Sequence, residues 1–198
     1  MPKIVDHDER RRQIAAAVSD IAATDGLADV SFRTVADRSG VSVSLVQHYF
    51  GDKANLLRTT LEIQSEAMNA HIAARLASLG ADPEPAEVLR LVAHAFLPLD
   101  ETSRRSMLVY HGFAAAALTD ASLRSTDMFT NGRNLIHFFA AQLDAPGMSA
   151  EASDPEADAT GLLSVLLGLS LAILLDQTTP ADAITTLDQH LDRLASRV

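Results

Sequence analysis

The sequence predicts an all-α protein, with an N-terminal three-helix domain carrying a helix-turn-helix and a C-terminal helical bundle, about nine helices in total. Apolar residues recur at helical spacing along nearly the whole chain, and no run alternates strictly as a half-buried strand would. Alanine and leucine dominate, while 9 glycines and 7 prolines are too few for a many-turned β fold. At 198 residues, 47% apolar and 21% charged, the chain has the size of one domain, or of two small ones sharing a core.

The first helix is expected from about Asp8 to Thr24, with Ile14, Val18 and Ile21 on one face, Asp6 and Glu9 as a capping pair and Gly26 as its stop. Ser31 caps a short helix from Phe32 to Arg38. Ser39-Gly40-Val41 makes a tight turn, and Ser42 caps a third helix through Tyr49. Gly51-Asp52 opens a long fourth helix to about Ser78, striped by Leu57, Leu61, Met68, Ile72, Leu76 and Leu79. After the Pro83/Pro85 break, helices are expected at about 86–97, 102–118 and 121–143, then 156–176 and 181–196. Their punctuation is Pro98, Thr119-Asp120, the small acidic stretch Met148–Asp158 and Thr179-Pro180.

The last two helices speak to assembly. Leu163, Leu167 and Leu171 belong to a helix that is apolar on every side, which demands burial on every side. Leu187, Leu191 and Leu194 form a bundle seam on the final helix, and Gly161, Ser164, Gly168 and Ala172 make a line open to close approach. An intrachain core would explain the seam alone equally well. The all-round apolar helix favours a homodimer whose interface includes these six leucines.

Charge and composition exclude several classes. Cysteine is absent, so disulfides and thiolate chemistry are ruled out. The charged start is no secretory signal, and the longest apolar stretch, Gly161–Leu175, falls short of the ~18–20 residues of a membrane helix. These point to a cytoplasmic protein with no membrane partner. No two histidines stand three or four apart, no glycines are two apart, and no Gly-x-Ser-x-Gly occurs. No catalytic residue, metal site or cofactor is expected. The net charge of −10 is distributed unevenly: residues 1–60 balance eight basic against eight acidic groups, and the excess of acid lies wholly in 61–198. An acidic protein can therefore still present a neutral or basic face to DNA.

Ser31–Lys53 holds the most specific pattern. Two short helices flank a turn in which Gly40 follows Ala36 by four residues, the small side chain allowing a close crossing and the glycine a left-handed backbone. Val35, Val41, Val46 and Tyr49 lock the second helix, leaving Ser42, Val43, Ser44, Gln47 and His48 to face outward. Gln47 can pair with adenine, Val43 can touch a thymine methyl, and the serines reach bases or phosphates. Arg33, Tyr49 and Lys53 suit backbone phosphates, with Lys3 and Arg10 to Arg12 as further cations on the leading arm. Such units also occur as plain packing corners, and this serine-bearing helix is not itself basic.

These residues resemble the N-terminal domain of the TetR family of transcriptional regulators. The resemblance rests on Asp25-Gly26, Ser31-Phe32-Arg33-Thr34-Val35-Ala36, Ser39-Gly40-Val41-Ser42 and His48-Tyr49-Phe50-Gly51-Asp52-Lys53 followed by Leu56-Leu57. Downstream, Phe96-Leu97-Pro98-Leu99-Asp100, Arg104-Arg105 and Phe113 to Leu118 are similar to the BetI-like branch. The resemblance implies a homodimer in which helices one to three bind double-stranded DNA, helices four to nine form a regulatory body, and helices eight and nine pair. It also matches Tyr49 and Lys53 to phosphate-contacting positions. The expected division is 1–51 for DNA binding and 52–198 for ligand binding and dimerisation.

Six of nine aromatic residues fall between 96 and 139, which suits a small-molecule effector site. Phe96, Met107, Tyr110, His111, Phe113, Phe129, Arg133 and His137 are its candidate residues, with ordinary core packing as the competing account. The reading is a homodimeric repressor released from a palindromic operator by an effector. Two alternatives stay open, a ligand- or protein-binding bundle whose helix-turn-helix does not read DNA, and an activator.

Overall fold

The computed structural model describes residues 7–121, 123, 127–146, 148 and 154–195, without side-chain detail at 127–131. Lys3, Asp6 and the side chain of Phe129, all singled out above, lie outside the described residues. Among the described residues the protein is entirely helical: α1 His7–Thr24, a 3-10 turn Leu27–Asp29, α2 Phe32–Ser39, α3 Val43–Phe50, α4 Lys53–Ala77, α5 Pro85–Ala95, α6 Glu101–Thr119, α7 Asp127–Leu143, α8 Pro155–Leu174 and α9 Pro180–Ala195. The all-α expectation holds.

Most differences from the expected boundaries have one cause. Pro85, Pro155 and Pro180 are the first residues of α5, α8 and α9, rather than breaks before them. Proline loses nothing at that position, where the backbone N–H has no intrahelical partner. Asp154 caps α8 by accepting from the Glu156 and Ala157 amides, at 3.2 and 3.1 Å. At 20 residues α8 passes for a membrane span by length and composition, although its continuous apolar run, Gly161–Leu175, is shorter. At the other end of α6, Leu123 N donates to Asp120 O in a turn, so α7 begins at Asp127 and not near 121.

The chain packs as two compact units. One comprises residues 1–67 with 108–129. Its core joins Ile14, Val18 and Ile21 of α1 to Val35 and Ala36 of α2, Val46 and Phe50 of α3, Leu56, Leu57 and Leu61 of α4, and Val109, Phe113 and Ala117 of α6. Two eight-residue helices cannot bury a core between themselves, which is why the start of α4 and the end of α6 complete it. The packing boundary thus falls within α4 and α6 and not at residues 51 and 52.

The other unit comprises 68–107 with 130–198. Leu89, Val92, Ala93 and Leu97 meet Phe139 and Leu143 of α7, Leu162 and Leu166 of α8, and Ala183, Leu187, Leu191 and Leu194 of α9. Arg90 reaches Asp188 at 2.6 Å and Asp192 at 2.7 Å, and His94 Nε2 lies 2.9 Å from the same Asp188 carboxylate, lacing α5 to α9.

The packing corrects half of the proposed dimer contacts. Leu187, Leu191 and Leu194 are 0%, 3% and 5% exposed within the single chain, so this seam is used internally and cannot face a second copy. Helix α8 behaves differently. Only 28% of its most apolar window is buried, and Gly161, Ser164, Gly168, Leu171 and Leu175, spaced three and four apart, are all exposed. Leu163 and Leu167 flank that face half-buried. A Cβ built on Gly161 or Gly168 would meet nothing within 4 Å, so neither glycine is required by the chain's own packing.

Candidate nucleic-acid interface

Each turn around the reading helix has a local cause. Ser31 caps α2 reciprocally with Thr34: its Oγ accepts from the Thr34 amide at 3.1 Å, and Thr34 Oγ1 accepts from the Ser31 amide at 2.9 Å. Gly40 adopts φ 70° and ψ 28°, the left-handed conformation the turn needs, and its amide donates to Ala36 O. Ser42 Oγ accepts from the Leu45 amide at 3.2 Å, which starts α3. Val46 and Phe50 then bury one face of α3, and its other face is left to solvent.

That outer face carries the expected residues. Ser42, Val43, Ser44, Gln47 and His48 are all exposed, with Val43 at 42%. Ser42 and Ser44 hydroxyls lie 3.0 Å apart. The eight residues of α3 extend about 12 Å, the width of a major groove. Arg33 on α2 and Lys53, the first residue of α4, are exposed as well. Tyr49 is half-buried, its ring beside His7, His48 and Phe50.

Several contributors are invisible in the linear pattern. Gln13 of α1 donates to Ser39 O at 2.8 Å and accepts from Arg10 at 2.6 Å, tying α1 to the turn of the motif. Arg38 pairs with Asp20 and, at 2.7 Å, with Asp25, so its charge is engaged inside the head. Asp52 Oδ1 accepts from the Asn55 amide, and Asn55 Nδ2 donates to Phe50 O, each at 2.8 Å, coupling the end of α3 to the start of α4. His7 Nδ1 lies 2.9 Å from Tyr49 Oη. Gln13 with Ser39, Arg38 with Asp20 and Asp25, and His7 with Tyr49 are pairs that only the fold brings together.

The candidate effector residues are distributed over the two units. Phe113 is fully buried in the core of the unit that holds the helix-turn-helix, and Tyr110 packs against that core. Burial raises the pKa of Tyr110 and lowers that of the half-buried His111. Phe96 packs against the core of the other unit, where Met107 is also buried, while Arg133 and His137 are exposed. A cleft of about 540 Å³ in that second unit lies elsewhere, between the α5–α6 and α8–α9 connections. Leu99, Asp100, Arg104, Asp176, Gln177 and Thr179 are among its lining residues, and none of the predicted residues is. Asp100 accepts from the Ser103 amide and hydroxyl, which holds its carboxyl below the usual range. None of its lining residues is aromatic, so an aromatic-cluster search passes over it.

Known proteins resemble the chain along its whole length. The family model for bacterial regulatory proteins of the tetR family matches residues 14–60, and that for the C-terminal domain of BetI-type transcriptional repressors matches 85–196. The HTH-type transcriptional regulator PksA of Bacillus subtilis is 30% identical over 184 residues, 89% of this chain and 84% of that protein. BetI of Pseudomonas aeruginosa is 28% identical over 198 residues, covering 98% and 96%. Among solved structures, a transcriptional regulator of Rhodococcus sp. RHA1 superposes with a TM-score of 0.82 at 29% identity, over 95% of this chain and 98% of that one. A regulator from Saccharomonospora viridis, solved in complex with choline, shares the fold with a TM-score of 0.75 at 18% identity, over 94% and 95%.

Proposed function

The chain belongs to the TetR family of bacterial transcriptional regulators, with a BetI-type C-terminal domain, and from that premise we propose that it is a homodimeric repressor released from a two-fold symmetric operator by a small-molecule effector. As a member of this family it is a DNA-binding regulator of transcription and not an enzyme. It acts where operator DNA lies, in the bacterial cytoplasm.

The observation that carries the reading is the exposed face of α3. Its buried side, Val46 and Phe50, joins the core shared with α1, α2 and α4, so the opposite side, with Gln47 and Val43 flanked by Ser42, Ser44 and His48, is an exposed surface of groove dimensions. In this reading Arg33 of α2, Tyr49 of α3 and Lys53 of α4 hold phosphates while the outer face of α3 reads bases. Residues 1–51 take the DNA task, and 52–198 take ligand binding and dimerisation.

Dimerisation is supported by the open apolar face of α8, where Leu171 and Leu175 are exposed beside the small residues Gly161, Ser164 and Gly168. Small residues let a second helix approach closely, and a two-fold axis makes the face its own complement. Two heads related by that axis would read half-sites one turn or more apart. An effector is supported by the BetI-type body and by the cleft, whose volume lies within the range that small ligands occupy. The effector acts only through its differential affinity for the DNA-competent and released states.

The deciding experiment is selection of bound duplexes from a random DNA pool by the full-length protein. Recovery of a two-fold symmetric sequence is the expected result. Recovery of no sequence above background at low salt would refute DNA reading, in favour of a bundle with a non-reading helix-turn-helix.

A further inference from the structure

His7 and Tyr49 stand 42 residues apart, yet His7 Nδ1 and Tyr49 Oη are within 2.9 Å. Their ring centroids are 5.7 Å apart at 55°, and His48 sits edge-on to the same tyrosine at 5.7 Å and 75°. His7 is the exposed first residue of α1, and Tyr49 is the penultimate residue of the reading helix. The pair therefore ties the start of the head to the end of α3.

The hydrogen-bonding capacity of the two groups decides what this contact does on DNA. A phenol has one proton to donate, whereas a phosphate oxygen only accepts. If His7 Nδ1 is the bare nitrogen, it takes the Tyr49 proton, and the phenol has nothing left to offer a phosphate. If His7 Nδ1 carries hydrogen, it donates to Tyr49 Oη and leaves the phenolic proton free. Donation into the oxygen also polarises the O–H and strengthens its bond to an anion.

We propose that His7 is a positioning residue for DNA binding: it donates Nδ1–H to Tyr49 Oη, so that Tyr49 donates its own proton to a backbone phosphate. This role rests on the reading of Tyr49 as a phosphate contact.

The test measures affinity of the full-length protein for the operator duplex recovered by selection. Variants His7→Ala, His7→Asn and His7→Asp are each prepared with Tyr49 intact, and the first two also in a Tyr49→Phe background. Asparagine places an amide donor where Nδ1 stands, and aspartate places only an acceptor there. His7→Ala is expected to weaken binding about tenfold, the scale of one hydrogen bond to a charged group. His7→Asn restores most of that loss, and His7→Asp falls to or below the alanine variant. With Tyr49→Phe, histidine, alanine and asparagine at position 7 bind alike.

An unaffected His7→Ala variant, an equal loss in both backgrounds, or an asparagine variant no better than alanine would each overturn the proposal while leaving DNA binding intact. Wild-type protein that binds no duplex is a distinct outcome, and it removes the DNA reading together with this role.

Discussion

Leu171 and Leu175 offer the sharpest test of assembly. In the single chain they are 42% and 57% exposed, which together leaves about one whole leucine side chain per protomer open to water. Full burial of a leucine is worth about 1.5–3 kcal/mol, so covering both copies across a two-fold axis stabilises a dimer by about 3–6 kcal/mol. Replacing both residues with serine, as Leu171→Ser with Leu175→Ser, should therefore weaken self-association by about two to four orders of magnitude. The fold of the single chain should barely respond, because neither side chain belongs to its core. Sedimentation equilibrium across a wide dilution series measures the dimer constant, and circular dichroism confirms retained helix. Leu166→Ala is the contrasting control: at 0% exposure it should cost about 2–5 kcal/mol of folding stability. A double-serine variant that dimerises as tightly as the wild type would refute the assignment of this face.

Other expected outcomes are equally concrete. Lys53→Ala should weaken binding across all DNA sequences and reduce the salt slope by about one, whereas Gln47→Ala should relax base preference and leave the slope unchanged; titrations at several salt concentrations separate the two. Gly40→Ala should destabilise by about 1–2 kcal/mol in urea denaturation through its positive φ alone, since an added Cβ meets nothing within 4 Å. Gly132→Ala, equally open but inside α7, should stabilise by about 0.5–1 kcal/mol. For His111, burial holds the folded pKa below the ordinary 6.5, so as pH falls the unfolded chain takes the proton first. Stability should stay level above about pH 6.5 and decline below it, and His111→Gln should flatten that decline in denaturation midpoints measured against pH.

The sequence alone determined the features that depend on neighbours along the chain. Helical period, serine caps, the glycine after Ala36 and the outward set Ser42, Val43, Ser44, Gln47 and His48 all follow from spacing within a few residues, because a helix is a local structure. Where local reasoning slipped, the tertiary fold was usually not the cause. Pro85 and Pro180 read as breaks in the pattern, yet the first turn of a helix accepts proline without losing a hydrogen bond.

Only the tertiary structure decided which apolar stripe is core and which is open. The α9 seam and the all-round apolar α8 both offer leucines to a partner, yet α5 and α8 pack against the first set, whereas Leu171 and Leu175 stay exposed. The same holds for the aromatic cluster, which the fold distributes over two cores, and for the cleft between two connections that lie far apart in the chain. His7 with Tyr49, and Gln13 with Ser39, meet across 42 and 26 residues. Periodicity specifies which face of a helix is apolar, but what covers that face depends on where distant segments return, and that is settled by packing.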